Sequence, residues 1–164
     1  MKALKHENKN TRDGKILIKL ATIEESRAIY GIRYESSVNA VSANQKKISF
    51  ENHDAWFKKQ YFSGLENKCF VLRFEDGVAG YCRFDQNPKG EFNISIAILP
   101  KFQGMGFGKK LLSESMAMMG DDKFFVASVF KNNLASLKLF QNNGFKIISE
   151  DKGMHYFKYF INRI

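Results

Sequence analysis

The sequence predicts a domain of the α/β or α+β class, and three observations carry the prediction. Segments of period two and of period 3.6 mix along the chain instead of clustering by type. At the centre a strand, a glycine-rich turn and a helix follow one another without a break, across residues 91–119. No internal repeat and no linker interrupts the 164 residues, a length that one domain fills. The predicted order is β-α-α-β-β-β-α-β-α-β-β.

Residues 1–14 are charged and aperiodic and read as a flexible lead-in, with a single domain over 15–164. Ile16-Leu17-Ile18-Lys19-Leu20 is a short strand. Thr22 and Glu25 have capping-box spacing, so a helix starts there and runs to about Tyr34 with Ile29 and Ile32 near its buried face. Residues 35–47 lack a period and read as a loop. Ser49 caps a second helix carrying Phe50, Phe57 and Tyr61 on one stripe, and Gly64 ends it. Residues 68–75 and 78–84 form a hairpin turning at Asp76-Gly77. Residues 91–99 are a long strand stopped by Pro100. A helix follows from about Gly106 to Met119. Residues 124–130 are a strand, Asn133 starts a helix that Gly144 closes, and 145–149 and 155–161 are the last strands.

Apolar residues make up 44% of the chain, enough for a sizeable core and against disorder. The formal net charge is +9, which attracts anions: nucleic acid, an acidic membrane surface or a phosphorylated small molecule. No Lys/Arg block is long enough for a nucleic-acid arm, and no aromatic RNA motif or recognition helix is present. The first fifteen residues hold no apolar signal-peptide core and no stretch approaches 18 apolar residues, so a cytoplasmic protein without a membrane span is expected. Cys69 and Cys82 are the only cysteines. A two-residue loop at 76–77 would pair Val71 with Cys82 and Cys69 with Phe84, making the cysteines diagonal neighbours poorly placed for a disulfide. They read as reduced structural thiols. Two cysteines without a CxxC spacing and three scattered histidines speak against a metal.

The segment that carries chemistry is Gln103-Gly104-Met105-Gly106-Phe107-Gly108-Lys109, directly after the strand that ends Ile96-Ala97-Ile98-Leu99-Pro100. Glycines at alternate positions admit positive φ and close backbone approach, so several N–H groups can meet phosphate oxygens at a helix N-terminus. Lys109 adds positive charge. The pattern is not a Walker loop, because GxxxxGK[ST] is absent, and its spacing is not that of the dinucleotide fingerprint.

The block Gln103-Gly104-Met105-Gly106-Phe107-Gly108 resembles the [QR]-x-x-G-x-[GA] signature of the GNAT superfamily of acyl-CoA N-acyltransferases. Downstream, Asn133-Leu134-Ala135-Ser136-Leu137-Lys138-Leu139-Phe140-Gln141-Asn142-Asn143-Gly144-Phe145 is similar to that family's N-x-x-[AS]-x-x-[LF]-[YF]-x-x-x-G-F helix. The resemblance implies a mixed, mostly antiparallel central sheet flanked by helices, and acetyl-CoA as cosubstrate without a metal. It implies that the amides of residues 104–109, with Gln103, hold the CoA pyrophosphate. Ile96, Ala97 and Ile98 would run beside the pantetheine arm, with an N–H near Ile98 facing the thioester oxygen. Asn133, Ser136 and Phe140 would lie along the CoA arm; on the residues alone, Asn133 reads equally as a plain N-cap.

Attack of an amine on a thioester needs a neutral amine, a stabilised oxyanion and a tolerated thiolate. The family's usual Tyr acid is Phe140 here and its frequent Glu on the central strand is Asn93, neither of which transfers a proton at neutral pH. Glu91, two residues before Asn93, is the first carboxylate to consider as base, with Glu35 and Asp54 as alternatives. Tyr156 is an acid to consider, beside Tyr81, Ser136, water or an unassisted thiolate. Arg33 and Glu35, followed by Ile48-Ser49 and then His53, Trp56 and Phe57, resemble the GNAT branch that acetylates nucleotide-linked amino sugars for pseudaminic-acid-type surface glycans. That resemblance implies a nucleotide sugar as small-molecule partner, and nothing in the sequence opposes a homodimer. The rival readings are an acetyltransferase of protein N-termini such as a ribosomal protein's, a non-catalytic acyl-CoA-binding module, and a basic nucleic-acid-binding domain.

Overall fold

The computed structural model describes residues 14–42 and 45–161. Most of the expected lead-in, 1–13, lies outside the described residues. Seven strands form one sheet: β1 (Ile16–Leu20), β2 (Lys68–Phe74), β3 (Gly77–Gln86), β4 (Phe92–Ile98), β5 (Phe125–Phe130), β6 (Phe145–Glu150) and β7 (Met154–Tyr159). Their spatial order is β1-β2-β3-β4-β5-β7-β6. Every neighbouring pair is antiparallel except β4 and β5, which are parallel. The α-helices are α1 (Ser26–Arg33), α2 (Ser36–Ala40), α3 (Phe50–Phe62), α4 (Phe107–Met119) and α5 (Leu134–Asn142). This is the mixed, mostly antiparallel α/β sheet that the sequence predicts. No helix among the described residues is long and apolar enough to cross a membrane.

Strand alternation sends side chains to two cores. Leu72, Cys82, Phe84, Phe92 and Ile94 meet Leu111 and Leu112 of α4 on one face. Cys69, Val71 and Tyr81 meet Ile29 and Ile32 of α1 and Phe57 of α3 on the other. Leu111 and Leu112 have no exposed surface; burial of each stabilises the fold by about 1.5–3 kcal/mol. Gly80 lets β3 close on the end of β4, because a Cβ there would lie 2.7 Å from the Ala97 carbonyl oxygen.

Two local expectations are corrected. The β2–β3 hairpin turns one residue earlier than expected, at Glu75-Asp76, with Glu75 in the left-handed region at φ 56°. Phe74 pairs with Gly77, and a bulge after Leu72 shifts the register, so Val71 faces Tyr81 and Cys69 faces Arg83. Cys69 and Cys82 therefore sit on opposite faces of the sheet, both buried and free. The segment expected as a loop contains α2. Glu35 nucleates it: its carboxylate accepts from the Ser37 and Val38 amides and the Ser37 hydroxyl.

Candidate active site

The β4–β5 ladder holds only Phe92 opposite Phe125 and Asn93 opposite Val126, although β4 continues to Ile98 and β5 to Phe130. The Phe92 amide donates to the Phe124 carbonyl, on the β5 side, at 2.8 Å. At the other end the Leu99 amide donates to Ala79, on the β3 side, at 2.8 Å. Backbone groups alternate direction along a strand. The N–H groups of Ile94, Ile96 and Ile98 therefore point to the β5 side; the Asn93–Val126 pairing engages the first, and β5 has departed from Ile96 and Ile98. Ile96 and Ile98 are half-buried there, an apolar edge lined with open donors.

The glycine turn stands at the mouth of this gap. Pro100–Phe102 form one 3-10 turn, and Phe102 and Phe107 pin its two ends on Phe74, with ring centroids 5.4 and 5.1 Å away. The Gln103 side-chain amide donates to the Ile98 carbonyl at 3.0 Å, tying the turn to the end of β4. Gly104 and Gly106 take φ of 78° and 79°, a conformation that side chains disfavour. A Cβ on either would meet nothing within 4 Å, so the space in front of the turn is open. Gly106 is the N-cap of α4, and the first intrahelical bond of this end runs from the Lys110 amide to the Gly106 carbonyl. The amides of Phe107, Gly108 and Lys109 thus belong to the donors that a helix start leaves unpaired. Gly108 lies between β4 and α5: a Cβ there would be 3.6 Å from Leu139 and 3.9 Å from Ile98.

On the opposite face, α1, α3 and β3 enclose a cavity of about 340 Å³ lined by Arg33, Tyr34, His53, Trp56, Tyr81 and Arg83, with Phe57 in its wall. The β3–β4 register sets Tyr81 opposite Ala97 and Arg83 opposite Ser95, so the cavity floor adjoins the strand that borders the gap. Arg83 pairs with Asp85 at 3.2 Å and lies 5.1 Å over the Trp56 ring. The Tyr61 hydroxyl donates to the other Asp85 oxygen at 2.7 Å. His53 is 4% exposed and its Nε2 has no hydrogen-bond partner. Burial holds its imidazole below the ordinary value, and Arg83 and Arg33 push the same way, against the Ser26 backbone and Asp54.

The structure brings Arg33, His53, Trp56 and Phe57 to one cavity and leaves Glu35 out of it, at the α2 cap. Glu91 precedes β4 at the end away from the glycine turn. Its carboxylate meets Lys158 at 2.9 Å, which holds it below the usual range and weakens it as a base. The Tyr156 hydroxyl donates to Asp151 at 2.7 Å, and that carboxylate raises its pKa. Asn133 caps α5 by accepting from the Ser136 amide at 3.2 Å. Phe140 is buried, stacked on Phe157 and edge-on to Phe145. Sequence reasoning missed Arg83. Its one signal is a cation inside the otherwise apolar run Tyr81-Cys82-Arg83-Phe84.

A family model described as the acetyltransferase (GNAT) family matches residues 32–145. Among curated proteins, the L-amino acid N-acyltransferase MnaT of Escherichia coli (strain K12) is 29% identical over 115 residues, 65% of this chain. The match likewise spans 65% of that relative's length. Among solved structures, yncA from Salmonella typhimurium, described as an acetyltransferase and solved with its cofactor acetyl-CoA, superposes with a TM-score of 0.77 at 22% identity, over 92% of this chain and 96% of that one. A ribosomal-protein-alanine N-acetyltransferase from Brucella melitensis gives 0.75 at 20% identity, over 88% and 99%. These two likenesses concern the fold. Together with the family-model match over most of the chain, the open β4 edge and the glycine turn lead to one assignment: this chain belongs to the GNAT family of acetyltransferases.

Proposed function

We propose that the chain is an acetyl-CoA-dependent N-acyltransferase that moves an acetyl group onto a primary amine by direct attack. The observation that carries this reading is the pairing of an unpaired β4 edge with the open glycine turn at its end. Residues 103–109 would hold the pyrophosphate through turn and helix-start amides, with Lys109 adding charge. The β4 edge at Ile96 would take a pantetheine amide in β-fashion, with Ala97 and Ile98 beside the arm. The Ile98 N–H is the donor toward the oxyanion, and Asn133 and Ser136 border the arm at the start of α5.

Attack forms the C–N bond and puts negative charge on the carbonyl oxygen. Collapse breaks the C–S bond, and the proton shed by nitrogen goes to thiolate or water. With Glu91 and Tyr156 both engaged elsewhere, an amine that reaches the site already neutral fits this arrangement best. For the acceptor we favour a small molecule over a peptide, because the cavity is half-enclosed. Its aromatic walls and Arg33 support a nucleotide-linked amino sugar of surface-glycan biosynthesis. The cavity volume of about 340 Å³ and the L-amino acid relative favour a second reading, an α-amino acid.

Free-thiol release from acetyl-CoA over a panel of UDP-amino sugars, amino acids and short peptides tests this. Turnover with peptides alone would end both small-molecule readings. Gly106→Trp should reduce coenzyme binding by at least about 100-fold, since the ring would fill the open space before the turn, while stability drops by only about 1–2 kcal/mol from the positive φ. Unchanged affinity by calorimetry would mean that the pyrophosphate lies elsewhere.

A further inference from the structure

We propose that the acceptor amine carries an anionic group and that Arg83 is the residue that recognises it; this rests on the N-acyltransferase reading above. Two arginines, Arg33 and Arg83, line the cavity, and no Asp or Glu does so among the described residues. His53 adds no charge at neutral pH, because burial keeps its imidazole neutral. Asp85, the carboxylate that pairs with Arg83, is not in the lining, and its second oxygen is occupied by Tyr61. The lining thus offers guanidinium N–H donors and no carboxylate acceptor, a surface that an anionic group matches.

Arg83 is also held still. Trp56 covers its guanidinium and Asp85 fixes one edge, so little conformational freedom is lost when a second anion docks. Its strand neighbours β4, and one strand spacing is about 4.8 Å. An anion at Arg83 therefore lies close to the backbone that borders the gap, and the acceptor is one whose anion stands a few bonds from its amine. An α-amino carboxylate and the diphosphate of a nucleotide-linked amino sugar share this chemistry.

Matched acceptors separate the sources. Each L-amino acid is paired with its amide, and a UDP-amino sugar with the free amino sugar, and thiol release gives kcat/KM for both members. The anionic member of one pair should be favoured about 100-fold, the scale of losing a hydrogen bond to a charged group. Arg83→Gln should bring that ratio near one, and Arg83→Lys should recover part of it. A wild-type ratio near one, or a ratio that survives Arg83→Gln, overturns the proposal. Because Arg83 is half-buried on a central strand, a second measurement uses the unaltered protein. Trp56 is the only tryptophan, and with acetyl-CoA present its emission should change on titration with the anionic member and not with the uncharged one. Equal responses overturn the inference. Absence of turnover with every amine would overturn the enzymatic reading, while the Trp56 titration still decides whether the cavity selects anions.

Discussion

His53 occupies the cavity as a neutral, nearly buried imidazole, and this has a thermodynamic signature. Its folded pKa lies below the ordinary 6.5. Above that value both folded and unfolded chains hold it neutral, and it contributes nothing to pH dependence. Below it the unfolded chain takes a proton that the folded chain refuses, so stability falls as pH falls. The slope from this one group is at most about 1.4 kcal/mol per pH unit. His53→Gln should flatten the loss of stability between pH 7 and 5, measured by urea unfolding; an unchanged slope would show that the imidazole titrates as freely when folded. The pairing of His53 with Trp56 was legible in the spacing of their helix. The partner of Glu91 was not: Lys158 stands 67 positions later in the chain, and only the folded sheet brings an ion pair of that separation together.

At the scale of elements, the start of α1 shows how one carboxylate organises three segments. Glu25 is 7% exposed. Its oxygens accept from Lys19 on β1, from the Thr22 amide at 2.9 Å and from Arg73 on β2 at 3.0 Å. Burial alone would raise its pKa, and the Lys19, Thr22 and Arg73 bonds together outweigh it and set the value below the ordinary 4.5. Its contribution is therefore full above the ordinary value and is lost as pH falls through the lowered one. Glu25→Gln should cost about 2 kcal/mol at pH 7, and the gap from the wild type should narrow in acid; a constant gap would assign the loss to packing. The capping-box spacing of Thr22 and Glu25 was visible in the sequence. The bulge opposite Leu72 and Arg73 was not read, although Gly80 inside β3 stands beside its extra residue, Ala79, and a one-residue shift reverses which side chains face across the hairpin. The β4–turn–α4 unit was legible almost to the residue, since apolar strand, Pro100, alternating glycines and a 3.6-residue period all agree.

At the scale of the whole molecule, the sheet is split by one short parallel ladder, and the glycine turn sits at the open end of the split. The chain's +9 formal charge surrounds a site proposed to take a polyanionic coenzyme. Association should therefore be steered, and the KM for acetyl-CoA should rise several-fold between about 50 and 500 mM salt as the screening length shrinks. A flat response would place the capture of CoA in short-range contacts alone. The fold class was readable because strand and helix periods alternate so regularly. The cavity proposed for the acceptor was only partly readable: α1 and α3 announce their aromatic and cationic residues, whereas the contribution of β3 depends on register.

The placement of the two cysteines has a practical consequence. Cys69 and Cys82 are buried on opposite faces, and burial pushes both thiols well above their ordinary pKa. Neither can meet the other across the sheet, and neither presents a thiolate to water. The folded polypeptide is thereby silent toward sulfhydryl dyes, so colour developing in a coenzyme assay counts product alone, and the protein's own sulfur enters the tally only once the sheet has come apart.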